Sequence, residues 1–355
     1  MVVPRRLVRR PTQSARLYSM RVTRKRTRRA RRLLVRAARR ARWLRRQKVT
    51  HLLAPTVFGL ERQETLVELV QFLAALRRVV GIERRRARID FAQTRLMTAG
   101  GTLLFAAELA RLNEIVGAQM ISCSYPSDGV VAQVLKQVGI FDLLAQRRPC
   151  PVTADNVKYW RVASGTDVDT ERLKETLEYY STLFSDPESQ TLYKALSEAM
   201  TNSHQHAYKR DRGDGLPTVK GWWSFTQLLD KKLTVAFCDL GIGIPRSLRE
   251  DLSGLGGTIR RLADTFQWGQ GDAGLIQAAM EYGRTRTGKG NRGKGMRDIR
   301  TVLDALGGKL QIHSNAGFFE FRAQEKRERC KTFKEWMSIK GTLVIWQLDM
   351  PEAKP

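Results

Sequence analysis

Polar and apolar positions alternate at period two in ARIDF (residues 87–91) and AQMISCSYP (118–126). They recur at helical spacing in MTAGGTLLFAAELARLNEIVG (97–117) and GVVAQVLKQVGIFDLL (129–144). The order strand, helix, strand, helix predicts a small α/β layer over residues 86–146. Further along, Asp186 as an N-cap and Pro187 at the first helical position predict a helix running to about Ala207. Its spacing puts Leu192, Leu196, Ala199 and Ser203 on one face, and Glu198, Asn202 and His206, four apart, on a second stripe at its margin. Residues 233–245, LTVAFCDLGIGIP, read as a strand that delivers Asp239 at its carboxyl end and then turns at Gly241 and Gly243. The fold class is α/β.

Composition leaves this picture intact: 355 residues with 42% hydrophobic and 8% aromatic side chains suffice for two ordinary packed domains. Charge changes it. Lys and Arg number 63 against 35 Asp and Glu, a formal charge of +28, and residues 1–50 hold 20 of the cations with no acid. The first 55 residues therefore form a basic arm. Its density of Lys and Arg suits nucleic acid or another polyanion, bound by counterion release without base contacts. Anionic lipid heads offer similar chemistry, and a solvated tail or an organelle transit peptide is the plainer alternative. Leu33, Leu34, Ala37, Ala38, Ala41 and Leu44 add a narrow apolar stripe at helical spacing.

Cys123, Cys150, Cys238 and Cys330 stand far apart, with neither a CxxC pair nor flanking His ligands, so reduced thiols are expected. No apolar run reaches the roughly 18 residues a membrane span needs, and the N-terminus lacks the apolar core of a secretory signal. A cytoplasmic protein without a transmembrane segment is expected.

Three stretches carry candidate chemistry. A carboxylate at the end of a strand, here Asp239, is placed to accept a hydrogen bond from an exocyclic amine, while Gly241 and Gly243 let a flat ring approach the backbone. GKGNRGKGM (288–296) precedes an apparent helix, MRDIRTVLDAL. Gly288, Gly290, Gly293 and Gly295 would leave backbone N–H groups free for phosphate oxygens, and Lys289, Arg292 and Lys294 add charge.

On E-x3-N-x3-H (Glu198, Asn202, His206), D-x-G-x-G, the glycine-rich turn, GGKLQIHS and GTLVIWQLDMP, the chain from about Thr170 to Pro351 resembles the GHKL ATPase family. That family includes gyrase-type, chaperone-type, sensor-histidine-kinase and mismatch-repair ATP-binding domains. The resemblance implies an α/β sandwich, with a mixed sheet on one side and helices on the other, holding ATP and Mg²⁺ under a mobile lid. It implies Asn202 as the magnesium ligand, Asp239 as the adenine reader and Glu198 as the base that orients water. His206 falls near phosphate, and Thr342 would support Asp239 through water. GNRGKGM departs from the common GxGxGL, which leaves open which amides meet phosphate. Ile244 to Thr287 is long, which implies an extended lid.

The earlier strand–helix alternation resembles the STAS family, the anti-sigma-factor antagonist fold. There a strand ending in Asp leads to a phosphorylatable serine at the start of the next helix. The matching turn here is Thr98, Ala99, Gly100 and Gly101, with Thr98 the sole hydroxyl and displaced from the acceptor place. A docking layer for a protein partner is implied. The organisation is then residues 1–55 basic arm, 56–150 STAS-like layer and 151–355 GHKL-type ATP-binding domain. A sensor histidine kinase is excluded, since His51 has no acid beside it and no paired helix pattern. What remains is an ATP-gated switch with slow hydrolysis, an anti-sigma-type serine/threonine kinase acting on a partner, or a nucleotide-binding module without turnover. A homodimer is compatible with each.

Overall fold

Our computed structural model describes residue 35 and residues 48–158, 160–167, 186–253, 271–285, 300, 303–305 and 307–350. The arm up to Gln47, apart from Val35, and the glycine-rich box at 288–296 lie outside the described residues. So does the middle of the stretch read as a lid, 254–270. The chain divides after Lys48 into two units, and the second, Val49–Pro355, contains all that follows.

That unit opens with β1 (Val49–Leu53), which lies inside the stretch assigned to the arm because its backbone pairs in parallel with β3 (Arg86–Asp90). The third parallel partner is β5 (Ile121–Cys123), giving the order β1-β3-β5. β2 (Val57–Phe58) and β4 (Leu96–Met97) form a second parallel pair. Between these strands run α1 (Gln63–Leu76) and α2 (Ala99–Val116). α1 buries Leu66, Leu69, Val70, Leu73 and Leu76, a helical stripe. Phe58, Phe72, Phe91 and Phe105 meet between these elements, with the rings of Phe58 and Phe105 5.1 Å apart. The single helix expected over 129–144 is two, α3 (Gly129–Gln137) and α4 (Ile140–Leu143), because the chain turns at Gly139, whose φ of +76° is left-handed. A short α5 (Asp155–Lys158) leads on to the second half of the chain.

Seven further strands make one sheet: β6 (Arg161–Gly165), β7 (Trp222–Leu229), β8 (Lys232–Asp239), β9 (Gly308–Ser314), β10 (Gly317–Arg322), β11 (Arg327–Thr332) and β12 (Thr342–Asp349). Their order is β11-β10-β9-β12-β8-β7-β6. The resemblance implied a mixed sheet, but every described pairing in this one is antiparallel. Tight hairpins explain part of this. Asp230 and Lys231 both take positive φ (49° and 56°) between paired Leu229 and Lys232, the twist that a two-residue hairpin needs.

The helices that follow are α6 (Asp186–Asn202), α7 (Ile244–Ser253) and α8 (Gly271–Thr285). One face of the sheet, with Leu233, Val235, Phe237, Ile312, Phe319, Val344 and Trp346, packs against Met200 of α6 and Ile276 and Met280 of α8. The opposite face receives α2. A Cβ added at Gly100 would stand 2.6 Å from Cδ1 of Ile345, so the first turn of α2 lies directly on β12. Gly100 thus works in packing. The Thr98 hydroxyl donates to the Phe58 carbonyl (3.0 Å). With sheets on both sides, α2 is buried nearly all round.

α6 ends at Asn202, and Ser203–Ala207 continue as a π turn. The helix expected to reach Ala207 in one register therefore widens at its end, which takes His206 off the stripe of Glu198 and Asn202. Among the described residues no helix is long and apolar enough to cross a membrane. The four cysteines are free, Cys123 and Cys238 buried and Cys330 exposed.

Candidate nucleotide site

Strand register sets the centre of the site. Ser314, Thr342 and Asp239 stand opposite one another across β9, β12 and β8. They share the face that carries Ile312, Val344 and Phe237, beneath the helices. The hydroxyls of Ser314 and Thr342 are 3.1 Å apart, and Ser314 Oγ accepts the Ile244 N–H at 2.8 Å, which ties the start of α7 to the row.

Asp239 is buried, and its Oδ1 accepts the Gly241 N–H at 3.0 Å. Burial pushes its pKa up to about 6, against the opposing pull of that N–H and of the Arg212 guanidinium. Next to it the Tyr208 hydroxyl bonds to the Gly221 carbonyl and accepts the Leu240 N–H (3.1 Å). Burial first, and the Asp239 carboxylate second, push the Tyr208 phenol up, so it stays a neutral donor.

The glycine turn is held against the end of α6. A Cβ at Gly241 would meet the Ala207 carbonyl oxygen at 2.2 Å, and the Ile242 N–H donates to that same oxygen at 2.7 Å. No larger residue fits there without moving the π turn. Gly243, at φ +80°, lies under the Asn315 amide, whose Nδ2 donates to the Ile242 carbonyl at 2.8 Å. One end of the sheet therefore gathers Asp239, Gly241, Gly243 and Thr342, with the turn bearing His206 packed on Gly241. Asn202 is exposed at the last α-helical position, and Glu198, one turn earlier, is half-buried. Gly288, Lys289, Gly290, Gly293, Lys294 and Gly295 lie outside the described residues. Ser314, Asn315 and Tyr208 escaped the sequence reading. Their only sequence signs were positions at the end of GGKLQIHS and one residue past the E-x3-N-x3-H helix.

Arg212, which faces Asp239 electrostatically, belongs to a buried ionic cluster that the sequence did not foreshadow. Glu108 of α2 contacts Arg77 (3.1 Å), Arg111 (3.0 Å) and Arg212 (2.6 Å). Asp214 contacts Arg111 at 2.7 Å and Arg212 at 3.5 Å. Burial alone would raise the Glu108 pKa, but the guanidiniums of Arg212, Arg77 and Arg111 outweigh it and hold it at about 2. The cluster joins α2 to the loop that leaves the π turn.

The chain matches no protein-family profile and no curated protein. Among the described residues no group of three or more His, Cys, Asp or Glu side chains converges on a metal position.

Proposed function

We propose that this chain binds ATP and Mg²⁺ in a GHKL-type site and works as an ATP-gated switch with slow hydrolysis. The observation that carries the proposal is the row Ser314–Thr342–Asp239 beside a glycine turn locked onto the end of the helix bearing Asn202. These residues fit the group. Asp239 offers a buried acceptor for the adenine amine, and Gly241 and Gly243 let the turn beside it pack closely on Ala207 and Asn315. Asn202 supplies a single exposed amide oxygen, so Mg²⁺, which demands several oxygen ligands, would be held mainly by phosphate. ATP when bound supplies a phosphoanhydride whose cleavage drives the switch. Glu198 orients the attacking water, His206 and the glycine-rich box meet phosphate, and the lid excludes bulk water. The STAS-like layer offers a docking surface for a protein partner, the basic arm grips polyanion, and the site sits in a cytoplasmic protein. Phosphate transfer to a serine or threonine of a partner, or binding without turnover, are the competing outcomes; release of inorganic phosphate without a labelled partner separates the first from both.

Calorimetry at pH 7 is expected to show Mg-ATP bound about tenfold to a hundredfold more weakly by Asp239→Asn and by Asn202→Ala. That corresponds to a charge-assisted hydrogen bond of roughly 1.5–3 kcal/mol in each case. Because the Asp239 carboxyl titrates at about 6, the parent protein should also lose roughly tenfold in affinity at pH 5, where the carboxylate is largely protonated. Asp239→Asn should not show this loss. For stability the sign is opposite. A carboxyl raised from 3.8 to about 6 by folding favours the native state at low pH, and that contribution is lost as pH climbs from about 4 through 6. Mg-ATP affinity unchanged from the parent in both variants would remove the site assignment.

For the arm, residues 1–48 carry 20 of the 28 excess charges. Binding to duplex DNA should weaken with salt at a log–log slope near −5 if about six phosphates are neutralised. Removing the residues before Val49 should flatten that slope; unchanged binding would make the arm a solvated tail.

A further inference from the structure

The sheet face turned away from the candidate site carries a second basic surface, separate from the arm. Register aligns Lys309, Arg322 and Arg327 in one row across β9, β10 and β11, and Gln311, Glu320 and Arg329 in the next. They lie opposite Phe319 and Phe321, which point into the core, so alternation puts them on the outer face. Glu320 is already engaged, accepting from Gln311 Nε2 and Arg322 Nε at 2.8 Å each. Arg327 and Arg329 are exposed, and neither has a carboxylate within ion-pair distance among the described residues. β11 is also the outermost described strand of the sheet.

These rows open into a cleft of about 290 Å³ between the sheet and the N-terminal parallel layer. Lys309 and Gln311 belong to both. The cleft has two chemistries. Gln311, Gln347 and Thr234 provide donors and acceptors on its floor, while Leu96, Val130 and Leu229, three of the large apolar side chains left exposed, line its walls. Arg95 also lines the cleft, as does Glu61, whose Oε2 accepts the Leu60 N–H at 2.9 Å. Apolar walls with amides between them suit a flat heterocycle that has hydrogen-bonding edges, and the cations outside suit the phosphates on either side of it. The volume, at the low end of the roughly 300–1,000 Å³ typical of ligand pockets, admits a single nucleotide and no duplex. A membrane surface is too broad and flat to enter a cleft of this size.

We propose that this face binds a single strand of nucleic acid, with phosphates along Arg322, Arg327, Arg329 and Lys309 and one base inserted in the cleft. The proposal stands independently of nucleotide binding at Asp239.

The test uses the full-length chain and a single-stranded oligonucleotide of about 20 bases carrying photoreactive thio-bases, as RNA and as DNA. Cross-linked peptides from residues 95–98, 130–131 and 309–329 are expected with at least one of the two strands. Cross-links confined to residues 1–48 with both would overturn the proposal. In a second arm, Arg327→Gln with Arg329→Gln, both exposed and outside the nucleotide site, should reduce the salt slope for the single strand by about 1.4, from about 0.7 per lost phosphate contact. Thermal stability and Mg-ATP affinity should not change. An unchanged slope, or a larger loss for duplex DNA or phosphatidylserine vesicles than for the single strand, would equally sink it.

Discussion

Glu108→Ala is expected to destabilise the protein by about 3–5 kcal/mol, the cost of stranding buried cations by removing their partner. Glu108 is fully buried and touches three guanidiniums at 2.6–3.1 Å. After the substitution only Asp214 would remain to face Arg111 and Arg212, and Arg77 would have lost its ion pair. Arg212 has the least slack, because its Nη1 is buried with no hydrogen-bond partner among the described residues even in the intact cluster. Urea unfolding of the full-length protein measures the effect, and Glu108→Gln, which keeps the shape and discards the charge, should fall between parent and Ala. The pH dependence gives an independent reading of the same cluster. A carboxyl held at about 2 instead of 4.5 contributes stability that is fully present above about pH 4.5 and is lost as the pH falls toward 2. The alanine variant should lack that acid limb. A variant within about 1 kcal/mol of the parent would mean that the cluster contributes nothing net, as some buried ion pairs do.

The cluster also bears on the proposed switch. Glu108 and Arg111 lie on α2, in the N-terminal layer, whereas Arg212 and Asp214 lie in the loop just beyond the π turn that carries His206. Any ligand that moves this turn pulls on α2 through buried ionic bonds, which resist sliding because each lost contact leaves a charge in a dry interior. On the proposed switch, this cluster would be one connection between the candidate nucleotide site and the N-terminal layer, beside the direct packing of α2 on the sheet.

The second large effect expected is a loss of ATP turnover by roughly 10²–10⁴ in Glu198→Ala, with Mg-ATP affinity little changed. Glu198 lies half-buried on α6, one helical turn before the exposed Asn202, so the two share a stripe that the π turn has not yet disturbed. If Asn202 reaches the metal and phosphates, a carboxylate one turn back is placed to accept a proton from water rather than to bind nucleotide. Phosphate release under single-turnover conditions, read beside calorimetric affinity, separates the two roles. A variant that releases phosphate at the parent rate would return Glu198 to the wet edge of an ordinary helix, and the switch would be one that binds nucleotide without Glu198 as its base.

What the sequence determined by itself was local. The period-two runs at ARIDF and LTVAFCD are β3 and β8, and the helical runs after MTAGG and SDPESQ are α2 and α6, because periodicity and caps act within one or two turns of chain. Asp239 could be placed at the end of a strand for the same reason. Where a glycine broke the run at 139, or an extra residue widened the last turn of α6, the pattern still read as one helix, since apolar spacing alone does not register a local change of backbone. Only the tertiary structure decided which residues stand beside Asp239. Ser314 and Thr342 reach it through strand register, and Arg212 through an ionic cluster whose members lie 103 and 104 positions apart along the chain. It also decided that Gly100 and Gly101 serve close packing, and that the outer strands present their cations on one face. Pairings of this kind depend on which surfaces bury one another, and no spacing within a single segment encodes them.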